Sequence, residues 1–74
     1  MPEYSILIQY DKSENLYIAR VPELNGCMAH GNTQEDAMRE IKVALELWIE
    51  ELTESGMEIP EPMFFVDLHP LPSV

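Results

Sequence analysis

One cysteine, four cationic side chains and three scattered glycines are all this 74-residue chain has of the residues on which most small functional sites are built. With Cys27 alone, no internal disulfide can form, and a lone thiol fits a reducing compartment. Cys27 itself reads as a small buried hydrophobe rather than a nucleophile, since free cysteine is among the most buried residue types. Four Lys and Arg against fourteen Asp and Glu give a formal charge of −10. That excludes the usual route to nucleic-acid binding, which displaces phosphate counterions with cations. Gly26, Gly31 and Gly56 are isolated, so there is no phosphate-cradling loop and no cofactor-binding motif. His30 and His69 are far apart, and neither belongs to a cluster with metal-ligand spacing. No basic N-terminal region precedes an apolar core, and no apolar run is long enough to span a bilayer. A cytoplasmic protein is expected.

What is present is organised around residues 33–56, TQEDAMREIKVALELWIEELTESG. Ala37, Ile41, Ala44, Leu45, Trp48 and Leu52 recur at helical spacing and share one face, which Met38 and Ile49 widen. Glu35, Arg39, Lys42, Glu46, Glu50 and Glu54 fall mostly on the other side. Thr33 is placed to cap the helix, with Asp36 at the capping-box position, and Gly56 to close it. Glu35 and Asp36 suit the positive end of the helix dipole. Trp48 reads as an anchor in the core, or alternatively as an interface hot spot.

The flanking segments read as strands. Residues 4–10, YSILIQY, alternate, and residues 11–15 are a polar turn of hairpin length. Residues 16–21 form the second strand. Pairing Asp11 with Leu16 sets Ile8 opposite Ala19 and Ile6 opposite Val21, all four facing the helix. It sets Leu7 opposite Arg20 and Gln9 opposite Ile18 on the outer face. Pro22 ends the second strand, Asn25-Gly26 turns the chain, and residues 27–30 are a short third strand. Pro60 and Pro62 hold an extended connection to a fourth strand over residues 63–68, followed by a proline-rich tail. The expected fold is therefore α+β, in the order β-β-β-α-β. One long helix lies on one face of a mostly antiparallel sheet, and residues 1–74 form a single domain. One helix cannot cover both faces, so Leu7, Leu16, Ile18, Met63 and Phe65 remain as outer apolar surface of the kind that marks interfaces. A chain this short buries only about 60% of its unfolded surface. With no disulfide or metal to supplement that, self-association is expected.

No catalytic constellation emerges. Ser5, Ser13, Ser55 and Ser73 lie in unrelated segments and none sits in a nucleophile elbow. Asp11 with Glu46 or Glu50 could hold a divalent ion in principle, but a solvated acidic surface is the simpler reading. His30 at a strand end suits a structural hydrogen bond better than catalysis. Glu46–Glu50 and Glu50–Glu54 are like-charge pairs four residues apart, mildly destabilising to a helix and suited to meeting a cationic partner.

Three motifs carry a resemblance. Residues 17–27, YIARVPELNGC, resemble the Y-x-A-x-V-P-E-L-P-G-C signature of the HicB-like antitoxins, with Asn25 where proline is usual. Residues 31–37, GNTQEDA, are similar to that family's G-x-T-x-E-E-A helix start, and residues 59–62, IPEP, to the I-P-x-P before its last strand. The resemblance implies a partial RNase H-like unit without nuclease activity, because the acidic metal-binding quartet has no counterpart here. It also implies a partner: a HicA-type toxin, a small basic protein that cleaves mRNA and whose active surface the antitoxin covers. Full-length members often add a C-terminal DNA-binding domain; this chain has no basic recognition helix, so direct DNA binding is not expected. The residues expected at the partner surface are Glu46, Glu50, Leu7, Ile18 and Phe65. The alternative reading is a stand-alone oligomeric module that binds an unknown ligand and has no toxin.

Overall fold

The computed structural model describes residues 3–66. Three strands and one helix follow in the order β1 (Leu7–Asp11), β2 (Leu16–Arg20), β3 (Met28–Gly31), α1 (Gln34–Glu54). The strands form one antiparallel sheet in the order β1-β2-β3. The register is the one the hairpin length implies: Asp11 pairs with Leu16, Gln9 with Ile18, Ile8 with Ala19 and Leu7 with Arg20. The turn that fixes it is held by Asp11, whose Oδ1 accepts from Ser13 Oγ at 2.7 Å and from Ser13 N at 3.0 Å. Asn15 closes it at φ 55°, a left-handed conformation asparagine tolerates. Across the strands, the Tyr10 and Tyr17 rings meet edge to face with centroids 5.2 Å apart.

Helix α1 is capped at both ends. Thr33 Oγ1 accepts from Asp36 N at 3.0 Å. At the other end Gly56, at φ 69°, lets Gly56 N donate to Thr53 O and Met57 N to Leu52 O, the paired bonds of a Schellman motif. The helix packs chiefly on β3, less on β2 and least on β1. Its close approach to β3 depends on Gly31, where a Cβ would lie 2.4 Å from the Ala37 backbone nitrogen. The core joins Ala37, Ile41 and Leu45 of the helix to Ala19, Val21, Leu24 and Cys27, with Ile6 and Ile8 packed against them. Cys27 is buried as expected, and burial pushes its thiol pKa up, away from reactivity. Trp48 differs from its expected core position. It is 36% exposed and lies over the turn at Gly26, whose hypothetical Cβ would sit 3.1 Å from the indole.

The expected fourth strand does not form where the structure describes it. Residues 63–66 pair with no strand, and their side chains are exposed. The local reason is chemical. Pro60 and Pro62 have no N–H to give a ladder, and the N–H of Met63 is taken by the Glu23 carboxylate at 2.8 Å. Asp67, Leu68, His69 and Ser73 lie outside the described residues. The observed order is therefore β-β-β-α, an α+β fold with a single helix covering one sheet face.

Candidate partner-binding site

The segment linking β2 to β3, residues 21–27, explains its own sequence. Val21 O accepts from Leu24 N, Leu24 O from Cys27 N, and Cys27 O from Val21 N, all at 3.0–3.1 Å. Two successive turns thus send Val21, Leu24 and Cys27 into the core at three-residue steps. Gly26 adopts φ 99°, which turns the chain beneath Trp48. Glu23 points instead to the N-terminal end of the sheet. Its carboxylate accepts from Ser5 N at 3.0 Å, Ser5 Oγ at 3.0 Å and Met63 N at 2.8 Å. Burial pushes its pKa up. Donation from the N–H groups of Met63, Ser5 and Glu23 itself, and from the Ser5 hydroxyl, outweighs this and holds it below the ordinary 4.5. The Tyr4 hydroxyl donates to Pro60 O close by. Glu23 and Tyr4 therefore tie the chain after the helix to the beginning of β1.

The five residues expected at a partner surface do not converge. Glu46 and Glu50 are exposed on the outer side of α1, away from the sheet. Leu7 and Ile18 are diagonal neighbours on the opposite, uncovered face of the sheet, where Arg20 donates to Gln9 Oε1 at 3.2 Å. Phe65, 82% exposed, is on the segment after Pro62. These are three separate surfaces, because the helix and the outer sheet face are divided by the sheet itself.

Sequence reasoning missed the centre of the helix surface. Val43 and Leu47 are 52% and 61% exposed, four residues apart on the outer side of α1. Glu40, Glu46, Glu50, Glu51 and Glu54, all exposed, stand three, four or seven residues from one or the other. The result is a short apolar ridge flanked mostly by carboxylates, with Arg39 four residues before Val43. The signal was legible in the i,i+4 spacing of two aliphatic residues on an otherwise charged side. Among the described residues the sole ion pair is Arg39–Asp36 at 3.2 Å, so none of these glutamates is in an ion pair, although Arg39 and Lys42 are exposed on the same helix. Met28, 55% exposed, extends the outer sheet face beside Arg20. His30 is exposed on that face opposite Ile18 and, among the described residues, its side chain makes no hydrogen bond, unlike the structural role expected for it.

Asp11 has no part in a joint site with Glu46 or Glu50. Its carboxylate caps its own turn, and donation from the Ser13 hydroxyl above all holds its pKa below the ordinary value. Among the described residues no cluster of three His, Cys, Asp or Glu could hold a metal ion, and no helix is long and apolar enough to cross a membrane.

This geometry defines a class: a small α+β domain whose conspicuous surfaces are an acidic helix ridge and exposed apolar segments, suited to contact with other proteins. The chain belongs to the family described as the HicB_like antitoxin of bacterial toxin-antitoxin systems, whose model matches residues 4–72. It is 33% identical to a UPF0150 protein of Synechocystis over 77% of each chain. With a UPF0150 protein of Thermoplasma acidophilum it shares 34% identity over 78% of this chain and 83% of that one. A UPF0150 protein of Helicobacter pylori is 48% identical over 57% of this chain, and there the match spans 58% of the relative's length. No solved structure matches, so the partial RNase H-like expectation rests on the sequence motifs.

Proposed function

We propose that this protein is an antitoxin that binds and neutralises a HicA-type, mRNA-cleaving toxin by protein–protein contact, without chemistry of its own, in the cytoplasm. Family membership supports the antitoxin role. The observation that carries the contact is the Val43–Leu47 ridge among exposed glutamates that outnumber the cations of the helix. A protein that handles RNA presents cations where phosphates bind, and carboxylates compete for those cations. The apolar ridge supplies the desolvated centre that charge alone lacks. Glu46 and Glu50 flank the ridge and belong to this contact. Leu7 and Ile18, on the outer sheet face, and Phe65 belong to self-association, giving a homo-oligomer.

The experiment is binding of the full chain to the basic toxin encoded beside its gene, with kinetics at two salt concentrations. Charge reversal in E46K/E50K slows association by on the order of tenfold and flattens its salt dependence, as expected for steered encounter. L47S leaves the association rate near its original value and speeds dissociation. An association rate untouched by E46K/E50K removes the helix from the contact, and the absence of any complex at micromolar concentration rejects the toxin reading. The second reading, an oligomeric module without a toxin, draws on the exposed Phe64 and Phe65, which suit self-contact as well as any partner.

A further inference from the structure

Trp48 is the only tryptophan in the chain, and its own fold does not finish burying it. It follows Ala44 by four residues and Leu45 by three, on the stripe that meets the sheet, yet it is 36% exposed where Leu45 is 2% exposed. The tip of its ring rests on the turn at Gly26, where a Cβ would lie 3.1 Å from Cη2 and 3.6 Å from Cζ2. Part of the ring is thus packed and the rest is wet. An indole supported in this way has little freedom left to lose on binding. Tryptophans of this kind are enriched among the anchors of protein interfaces.

The charges around the ring indicate which partner group fits it. After Lys42 the chain contains no lysine or arginine, whereas Glu46, Glu50, Glu51, Glu54, Glu58 and Glu61 follow, all exposed. Glu51 is three residues beyond Trp48 and four beyond Leu47, so it stands between the ring and the apolar ridge. The helix cations lie elsewhere. At about 3.6 residues per turn, Arg39 is roughly two and a half turns back on the opposite side of the helix, and Lys42 is about a third of a turn away around it. A cation brought to the open part of the indole therefore meets the ring's negative face and a carboxylate together. Guanidinium suits both, because its plane stacks on the ring while its edge donates to the carboxylate. A lysine ammonium offers only a point charge.

We propose that Trp48, with Glu51 beside it, anchors the partner interface by receiving an arginine side chain of the basic partner on its open ring face. The proposal rests on the antitoxin reading above. It extends the contact from the Val43–Leu47 ridge across Glu51 to the turn at Gly26. The ridge on one side and the indole on the other then flank a single carboxylate, and the arriving cation is taken up between two apolar walls, where its attraction to the ring is greatest.

The test uses the full chain and the basic toxin encoded beside its gene. Growth on 5-fluorotryptophan places a single fluorine label in the natural sequence, at Trp48. Titration with unlabelled toxin is expected to move that one fluorine signal. W48F, which keeps a ring face, is expected to weaken the complex by about threefold. W48L keeps apolar bulk over Gly26 but has no ring, and is expected to weaken it on the order of thirtyfold, chiefly through faster dissociation. Circular dichroism and melting of both variants check their folding, and the fluorine titration decides the matter without any substitution. A complex that leaves the fluorine signal unmoved overturns the anchor and leaves the antitoxin reading standing. So does a complex weakened equally, or not at all, by W48F and W48L, since the contact then needs no cation. No complex at micromolar concentration rejects the anchor and the toxin reading together.

Discussion

Glu23 is the residue on which the two ends of the described chain meet. One carboxylate accepts from Ser5 and Met63, which are distant in sequence, so its removal costs more than a surface acid should. E23A is expected to lower stability by about 1–2 kcal/mol, the scale of charge-assisted bonds at a part-exposed site; chemical denaturation measures it. The pH response follows from the same bonds. The folded carboxyl titrates below its ordinary 4.5, so it binds its proton more weakly folded than unfolded. Its contribution is complete above about pH 5 and is lost as pH falls through the folded value. The natural protein should lose more stability than E23A between neutral pH and the acid limb. Gly31 is the second sensitive position. G31A pushes a methyl into the backbone of the first helical turn and is expected to cost roughly 3 kcal/mol, at the upper end for overpacking. Both residues stood inside motifs that the sequence made recognisable, but their reasons did not. A motif shows that Glu23 and Gly31 belong to a pattern; it takes coordinates to show that one ties down residue 63 and the other admits a helix.

The elements themselves were legible in proportion to how local their causes are. Helix α1 is specified by its periodicity and by caps within a few residues of each end, and it lies where those signals put it. T33A, which removes the acceptor for Asp36 N, should cost about 1 kcal/mol. I41A, at a fully buried position, should cost ~2–5 kcal/mol and lower the melting temperature far more. A thermal melt of the two variants side by side orders them. The β1–β2 register was legible because hairpin length and alternation jointly allow one solution. The fourth strand was not. Alternation in residues 63–68 says that the run can be a strand, but whether it pairs depends on an edge elsewhere, which a local pattern does not encode. Val43 and Leu47 were passed over for the converse reason: a helix's apolar stripe attracts the eye to the core, and two aliphatic residues off that stripe matter only once the sheet's position shows them to be uncovered.

For the molecule as a whole, one quantity, a net charge of −10, gives two processes opposite dependences on salt. Folding gathers Glu40, Glu46, Glu50, Glu51 and Glu54 onto one side of α1, where they outnumber the helix cations Arg39 and Lys42, so the folded chain repels itself more than the unfolded one. Raising ionic strength from about 0.01 M to 0.15 M shortens the Debye length from roughly 30 Å to 8 Å and relieves that repulsion. The fold should therefore strengthen, and a gain of ~1 kcal/mol corresponds to roughly 4–8 °C in a domain this small. Binding to a basic partner should move the opposite way, since the same glutamates then act through attraction that salt screens. E50Q/E54Q tests the common cause: it reduces the salt response of melting and of partner association together. A melting temperature that falls as salt is added, in the natural chain, would mean that the ridge glutamates are compensated in the folded protein, and would remove the electrostatic basis for reading that helix as a surface made for a cationic partner.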